Sequence, residues 1–142
     1  MPKRNGSAVW KGGLKDGTGT VSTESGVLQT TPYSFSTRFE GVKGSNPEEL
    51  VAAAHAGCFT MALSAELGKA NLVPSSLRTT CTVTLDKVDG GWGITESHLE
   101  LVAKVPGASQ EAFRKAAEAA ETGCPISKLF KTKITLDAKL EP

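Results

Sequence analysis

The residue types first suggest thiol chemistry. Three cysteines, Cys58, Cys81 and Cys124, are spread over 142 residues with no CxxC pair among them. A thiol attacks as its thiolate, and with an ordinary pKa near 8.5 only a few per cent is ionised at pH 7. A reactive cysteine therefore needs charge or hydrogen-bond donors beside it. Cys58 lies in the apolar run AAAHAGCFTMAL, where a cysteine is commonly a small buried hydrophobe. Cys124 stands between Gly123, which ends one helix, and Pro125, which suits the first position of the next. Its thiol should fall at a helix cap, where amide groups favour a thiolate; the alternative is a capping residue without chemistry. Cys81, in TTCTVTL, has no activating neighbour and is read as structural, outside the site.

Two histidines and one ion pair complete the inventory. His55, three residues before Cys58 and near one helix face, is a base, a ligand or a packed, hydrogen-bonded histidine. His98 reads as a solvent-facing strand residue. No Cys and His spacing supplies three or four convergent ligands, so no metal is expected. Arg38, in FSTRF, keeps its charge at any physiological pH and is the candidate to activate Cys58, with Glu49 orienting its guanidinium through a bidentate pair. The alternative is a surface ion pair. Glu49 and Cys58 lie nine positions apart, which at about 100° per residue puts them on opposite helix faces, roughly 13 Å apart along the axis. If Glu49 serves the thiol, it comes from the helix of a second subunit.

The elements that must position these groups follow from patterning. From Ser7 to Glu40, Thr, Ser, Val and aromatic residues alternate with Gly punctuation and predict three short antiparallel strands ending in YSFSTRFE. Asn46, Pro47 and Glu49 form a helix start, and the helix should run to about Gly68. Its interior is Ala, Leu, Met and Phe on every side, so it should be buried nearly all round. LRTTCTVTLDKV and WGITESHLELVAKV, joined through Asp89-Gly90-Gly91, read as a β-hairpin. An amphipathic helix follows from Ser109 to Glu121, then a helical turn in GCPISKLF, then a closing strand with Ile134, Leu136, Ala138 and Leu140 on one face. The order β-β-β-α-β-β-α-β is α+β, and residues 1–142 are expected to form one domain. The apolar helix needs more cover than one small sheet gives, so a homodimer pairing these helices is the economical arrangement.

Composition excludes several other functions. Sixteen Lys plus Arg against fifteen Asp plus Glu give a formal charge of +1, no field to recruit nucleic acid or an anionic membrane. The start, MPKRNGSAVWKGG, lacks the apolar core of a signal peptide, and no later stretch is expected to reach the roughly 20 apolar residues of a membrane span. The cytoplasm, with its thiols reduced, is the expected compartment.

The segments TVSTESGVL, YSFSTRFEG, GSNPEELVAAAHAGCFTMAL, VTLDKVDGGWGIT and GCPISKLFKTKITLD resemble, in the same order, those of the osmotically inducible protein C/organic hydroperoxide resistance (OsmC/Ohr) family. The most specific signature is a pair of cysteines, one in the NPEEL helix and one in GCPIS. Arg38, in TRFEG, matches the osmotically inducible (OsmC) branch; the sister branch carries its arginine in a segment aligning with GLKDGTG, where none stands.

The resemblance implies an OsmC-like fold, with antiparallel sheets around a long buried central helix in an intertwined homodimer. It implies a peroxidase that reduces organic hydroperoxides and hydrogen peroxide without metal, flavin or haem, in oxidative or osmotic stress defence. Cys58 would attack the peroxide and Cys124 resolve its sulfenic acid as a disulfide; Arg38 and Glu49 would match the activating pair. The reductant would be an external dithiol, typically a lipoyl group or another small dithiol. Phe39, Phe59, Met61, Leu63 and Phe130 are candidate lining for an apolar substrate pocket, or core. The competing readings are a non-enzymatic dimer that binds a small apolar ligand and a slow redox sensor.

Overall fold

Short polar strands with glycine between them form the first part of the chain, as their composition dictates. In the computed structural model, which describes residues 1–142, the strands β1 (Gly6–Lys11), β2 (Thr18–Thr23) and β3 (Thr31–Tyr33) make an antiparallel sheet in that order. Trp10 pairs with Gly19, and Gly19 with Tyr33. The Trp10 and Tyr33 rings meet with centroids 5.4 Å apart. A Cβ on Gly19 would sit 2.4 Å from the Trp10 ring and 2.6 Å from the Tyr33 ring, so only glycine fits beneath them.

The strand expected to end in FSTRF stops earlier. Phe35–Phe39 is a short helix, α1. Ser34 caps it: its side chain accepts from the Thr37 amide while the Thr37 hydroxyl accepts from the Ser34 amide. This reciprocal cap satisfies the end of a turn that β-propensity alone would have kept extended. Arg38 therefore stands in the last turn of a helix, not on a strand.

The long helix α2 (Pro47–Lys69) begins as its sequence predicts, with Asn46 Oδ1 accepting from the Glu49 amide at 2.8 Å. Its 23 residues are long and apolar enough, by length and composition, to cross a membrane. That corrects the expectation that no segment reaches this threshold; six alanines set among Leu50, Val51, Phe59, Met61, Leu63 and Leu67 keep the run apolar although few large side chains follow one another. Burial is also narrower than expected. His55, Phe59, Leu63 and Leu67, four apart, are fully covered, while Ala53, Ala54, Gly57, Met61 and Ser64 remain exposed. The helix is apolar all round, but a single chain covers only one of its faces.

The covered face packs within the unit formed by Val51–Pro142; Met1–Leu50 forms a second compact unit. The hairpin β4 (Ser76–Val88) and β5 (Gly91–Lys104) turns at Asp89-Gly90, with Gly90 at φ +88. Leu99, Leu101 and Ala103, spaced two apart on β5, face the core together with Ser97. They pack with the α2 stripe and with Phe113, Ala116, Ala117 and Ala120 of α3 (Gln110–Gly123), which Ser109 caps. Burial of side chains such as Phe59, Leu63 and Leu67 stabilises this unit by roughly 1.5–3 kcal/mol each. Helix α4 (Pro125–Leu129) follows, then β6 (Lys133–Glu141). β6 pairs with β5 in parallel, a departure from the all-antiparallel expectation. The two helices between them carry the chain back along the sheet, as a parallel pairing requires.

Candidate active site

Cys124 holds the turn between two helices. It closes α3, its amide donating to Ala120, and it caps α4, its sulfur accepting from the Ser127 amide at 3.3 Å. Pro125 at the first helical position has no N–H to satisfy. The Cys124 side chain is fully buried, and its sulfur lies 3.2 Å from the Ser127 hydroxyl.

Cys58 reaches the same helix start from α2. Half-buried, its thiol is close enough to the Cys124 side chain and to the Ile126 amide for both to act on it. Burial pushes the Cys58 pKa up, the Ile126 N–H pulls it down, and the neighbouring Cys124 raises it again. The first turn of α4 thus offers one amide to each sulfur, Ile126 to Cys58 and Ser127 to Cys124. All three cysteines are free thiols. Two adjacent thiols of this kind can accept oxidation at one sulfur and close a disulfide with the other. No cation is among the groups acting on Cys58, so within this unit it stays largely protonated at neutral pH.

The predicted activating pair is arranged differently from its expectation. Arg38 is held by Glu48, not Glu49: its Nε donates to the carboxylate at 3.1 and 3.2 Å and its Nη2 at 2.8 Å. The Glu48 side chain, 13% exposed, points back to α1, while Glu49 is exposed on the neighbouring position of the helix. A hundred degrees of helical rotation decides which of two adjacent carboxylates meets the arginine fork. Arg38 also lies 5.2 Å from the centre of the Phe39 ring.

Phe59 and Leu63 are wholly in the core, and Met61 is 79% exposed on the opposite face of α2. Phe130 packs edge-on against His55.

Sequence reasoning missed a buried polar chain behind the thiols. His55, fully buried, makes a hydrogen bond through Nδ1 to Ser97 Oγ at 2.6 Å and through Nε2 to Ser127 Oγ at 2.8 Å. Ser97 Oγ is 3.2 Å from Cys81. Burial lowers the His55 pKa and raises that of Cys81. The one signal was Ser97, a polar residue on the strand register that otherwise carries Leu99, Leu101 and Ala103. His98, on the other face, bonds Thr135 and is only partly exposed.

Together these features define a dithiol protein: an α+β chain presenting two reduced sulfurs to the first turn of one helix. The chain belongs to the OsmC-like protein family, whose sequence profile matches residues 40–139. It is 53% identical over 138 residues to peroxiredoxin OsmC of Escherichia coli (strain K12), covering 97% of this chain and 96% of that protein. It is 32% identical over 124 residues to the organic hydroperoxide resistance protein OhrB of Bacillus subtilis (strain 168), covering 87% and 88% of the two. The crystal structure of the B. subtilis OhrB superposes with a TM-score of 0.69 over 96% of this chain and 98% of the other.

Proposed function

We propose that this protein is a cysteine-based hydroperoxide reductase that converts organic hydroperoxides and hydrogen peroxide to alcohols and water. The observation that carries the reading is the placement of the Cys58 and Cys124 side chains together at the start of α4, with an amide directed at each sulfur. The Cys58 thiolate attacks the peroxide oxygen, the O–O bond breaks, and an alcohol or water leaves as Cys58 becomes a sulfenic acid. Cys124 condenses with it, releasing water and forming the Cys58–Cys124 disulfide. An external dithiol, such as a lipoyl group, then reduces the disulfide, so no bound metal, flavin or haem takes part. The names of the E. coli and B. subtilis relatives support peroxide as the substrate. Three free thiols suit the cytoplasm.

Arg38 supplies the cation that a thiol with a raised pKa requires. The working molecule is a single functional domain acting as an intertwined homodimer. The exposed apolar face of α2 supports this, since Gly57, Met61 and the small residues around them are a poor surface to leave in water. Glu49 acts from the second subunit. Mixed dimers test that last point: a Cys58→Ser subunit combined with a Glu49→Ala subunit regains activity if Glu49 serves its partner's thiol, and none if both act in one chain.

The central test is to reduce the protein, add one equivalent of an organic hydroperoxide, quench, and map disulfides by mass spectrometry. Rapid Cys58–Cys124 linkage is expected, replaced by sulfenic acid at Cys58 in the Cys124→Ser variant. Free thiols at stoichiometric peroxide would sink the proposal.

A further inference from the structure

We infer that His55 and Ser127 form a built-in relay that orients the Cys124 thiol and takes its proton as the disulfide closes, which makes His55 a positioning residue for the second step of the reaction. The inference rests on the peroxidase reading above. It deepens that reading by assigning work to a histidine and a serine that the first step does not use.

The geometry leaves these groups few options. His55 has both ring nitrogens engaged by serine hydroxyls and no exposed surface. Its burial keeps it neutral, so one ring nitrogen donates and the other accepts. With the proton on Nδ1, His55 donates to Ser97 Oγ, and Nε2 turns its lone pair to Ser127 Oγ, 2.8 Å away. Ser127 then commits its hydroxyl hydrogen to Nε2. Its oxygen is left to accept the Cys124 S–H at 3.2 Å, while its amide donates to the same sulfur. The Cys124 hydrogen is thereby directed at Ser127, and a sulfur lone pair is left for Cys58.

When Cys124 attacks the Cys58 sulfenic acid, the S–S bond forms and the S–O bond breaks. The Cys124 proton passes to Ser127 Oγ as the Ser127 proton passes to Nε2. The hydroxide departs on the side of Cys58 away from Cys124 and takes a proton from solvent, the Nε2 proton of His55 returns through Ser127 to solvent, and the net products are disulfide and water with His55 neutral again. Ser97 anchors the far side of the ring: with its own hydroxyl hydrogen turned to Cys81 Sγ at 3.2 Å, its oxygen accepts from Nδ1–H and leaves Nε2 as the acceptor, as an orienting partner does for a general base.

Rapid mixing with one equivalent of an organic hydroperoxide separates the two steps. Cys58 sulfenic acid is trapped with a dione probe, and disulfide is read by mass spectrometry of quenched samples. In Ser127→Ala, sulfenic acid should form at the wild-type rate but condense at least about tenfold more slowly, a modest share of what general acid–base catalysis contributes. Ser127→Thr, which keeps the hydroxyl, should restore condensation. His55→Asn, which keeps a group facing Ser97 but none facing Ser127, should reproduce the Ala variant. Wild-type condensation in Ser127→Ala, or equal slowing in the Ala and Thr variants, would overturn the relay and leave the peroxidase reading standing. If the wild-type protein itself forms neither sulfenic acid nor disulfide, both fall together.

Discussion

The unit spanning Val51–Pro142 encloses a hydrophobic core running from Phe59 to Cys124, whereas in Met1–Leu50 the only buried residue is Gly19. The first of these makes its own site. Both thiols, their two amide donors and the histidine chain behind them are fixed by contacts within that unit. The second holds its charged groups near the surface, with the Arg38 side chain 37% exposed. The two thiols are thus held by one chain's core, while Arg38, the proposed activating charge, belongs to a unit that buries little by itself.

The largest effect should come from the thiols. Cys58→Ser is expected to reduce hydroperoxide consumption, assayed with excess dithiol, by about 10³-fold or more, since the nucleophile carries the whole first step. Activity retained at even a tenth of wild type would mean that Cys58 is not the nucleophile. Next comes the cation. Arg38→Ala should slow sulfenic acid formation by about 10²- to 10³-fold, the usual cost of removing one strong donor from developing negative charge. It should also shift the pH dependence of Cys58 alkylation upward. Glu48→Gln and Glu49→Gln then sort the two carboxylates. If the first slows the reaction and the second does not, the pair seen within one chain suffices to orient Arg38.

A smaller effect probes the sparse unit. Gly19→Ala places a methyl group against the Trp10 and Tyr33 rings, and overpacking of this kind costs about 1–3 kcal/mol. The loss should be read by denaturant unfolding. No change would mean that this sheet rearranges freely.

Much of this was legible in the sequence, for reasons that differ by residue. Asn46-Pro47 announces α2, Ser109 announces α3, and Gly123-Cys124-Pro125 announces the break that places a thiol at a cap, because local hydrogen bonds decide all three. FSTRF was misread because a five-residue segment has no period; a Ser34–Thr37 cap outweighs its β-branched and aromatic composition. Glu48 and Glu49 differ only in helical phase, which the sequence shows only once a helix partner is known. The parallel β6 depends on the path of α3 and α4, a tertiary property. Ser97 and Ser127 were invisible as partners of His55 because they are 42 and 72 residues away.

The smallest expected effect lies in the pH dependence of stability, and it sets the buried histidine apart from the exposed charges. His55 is held neutral by burial, with a pKa below its ordinary 6.5. In the unfolded chain it takes up a proton as pH falls through about 6.5, while the folded chain resists. The unfolded state then binds more protons, so stability attributable to this residue is complete above the unfolded value and is lost as pH falls toward the folded one. Thermal unfolding followed from about pH 7.5 to about pH 5 should therefore show a midpoint that declines more steeply in wild type than in His55→Asn, which has no titrating group there. Parallel curves would mean that burial leaves the ring's titration unshifted, and a shallower decline in wild type would mean that the ring is protonated in the folded protein. Nε2 would then be a donor to Ser127, unable to take its proton.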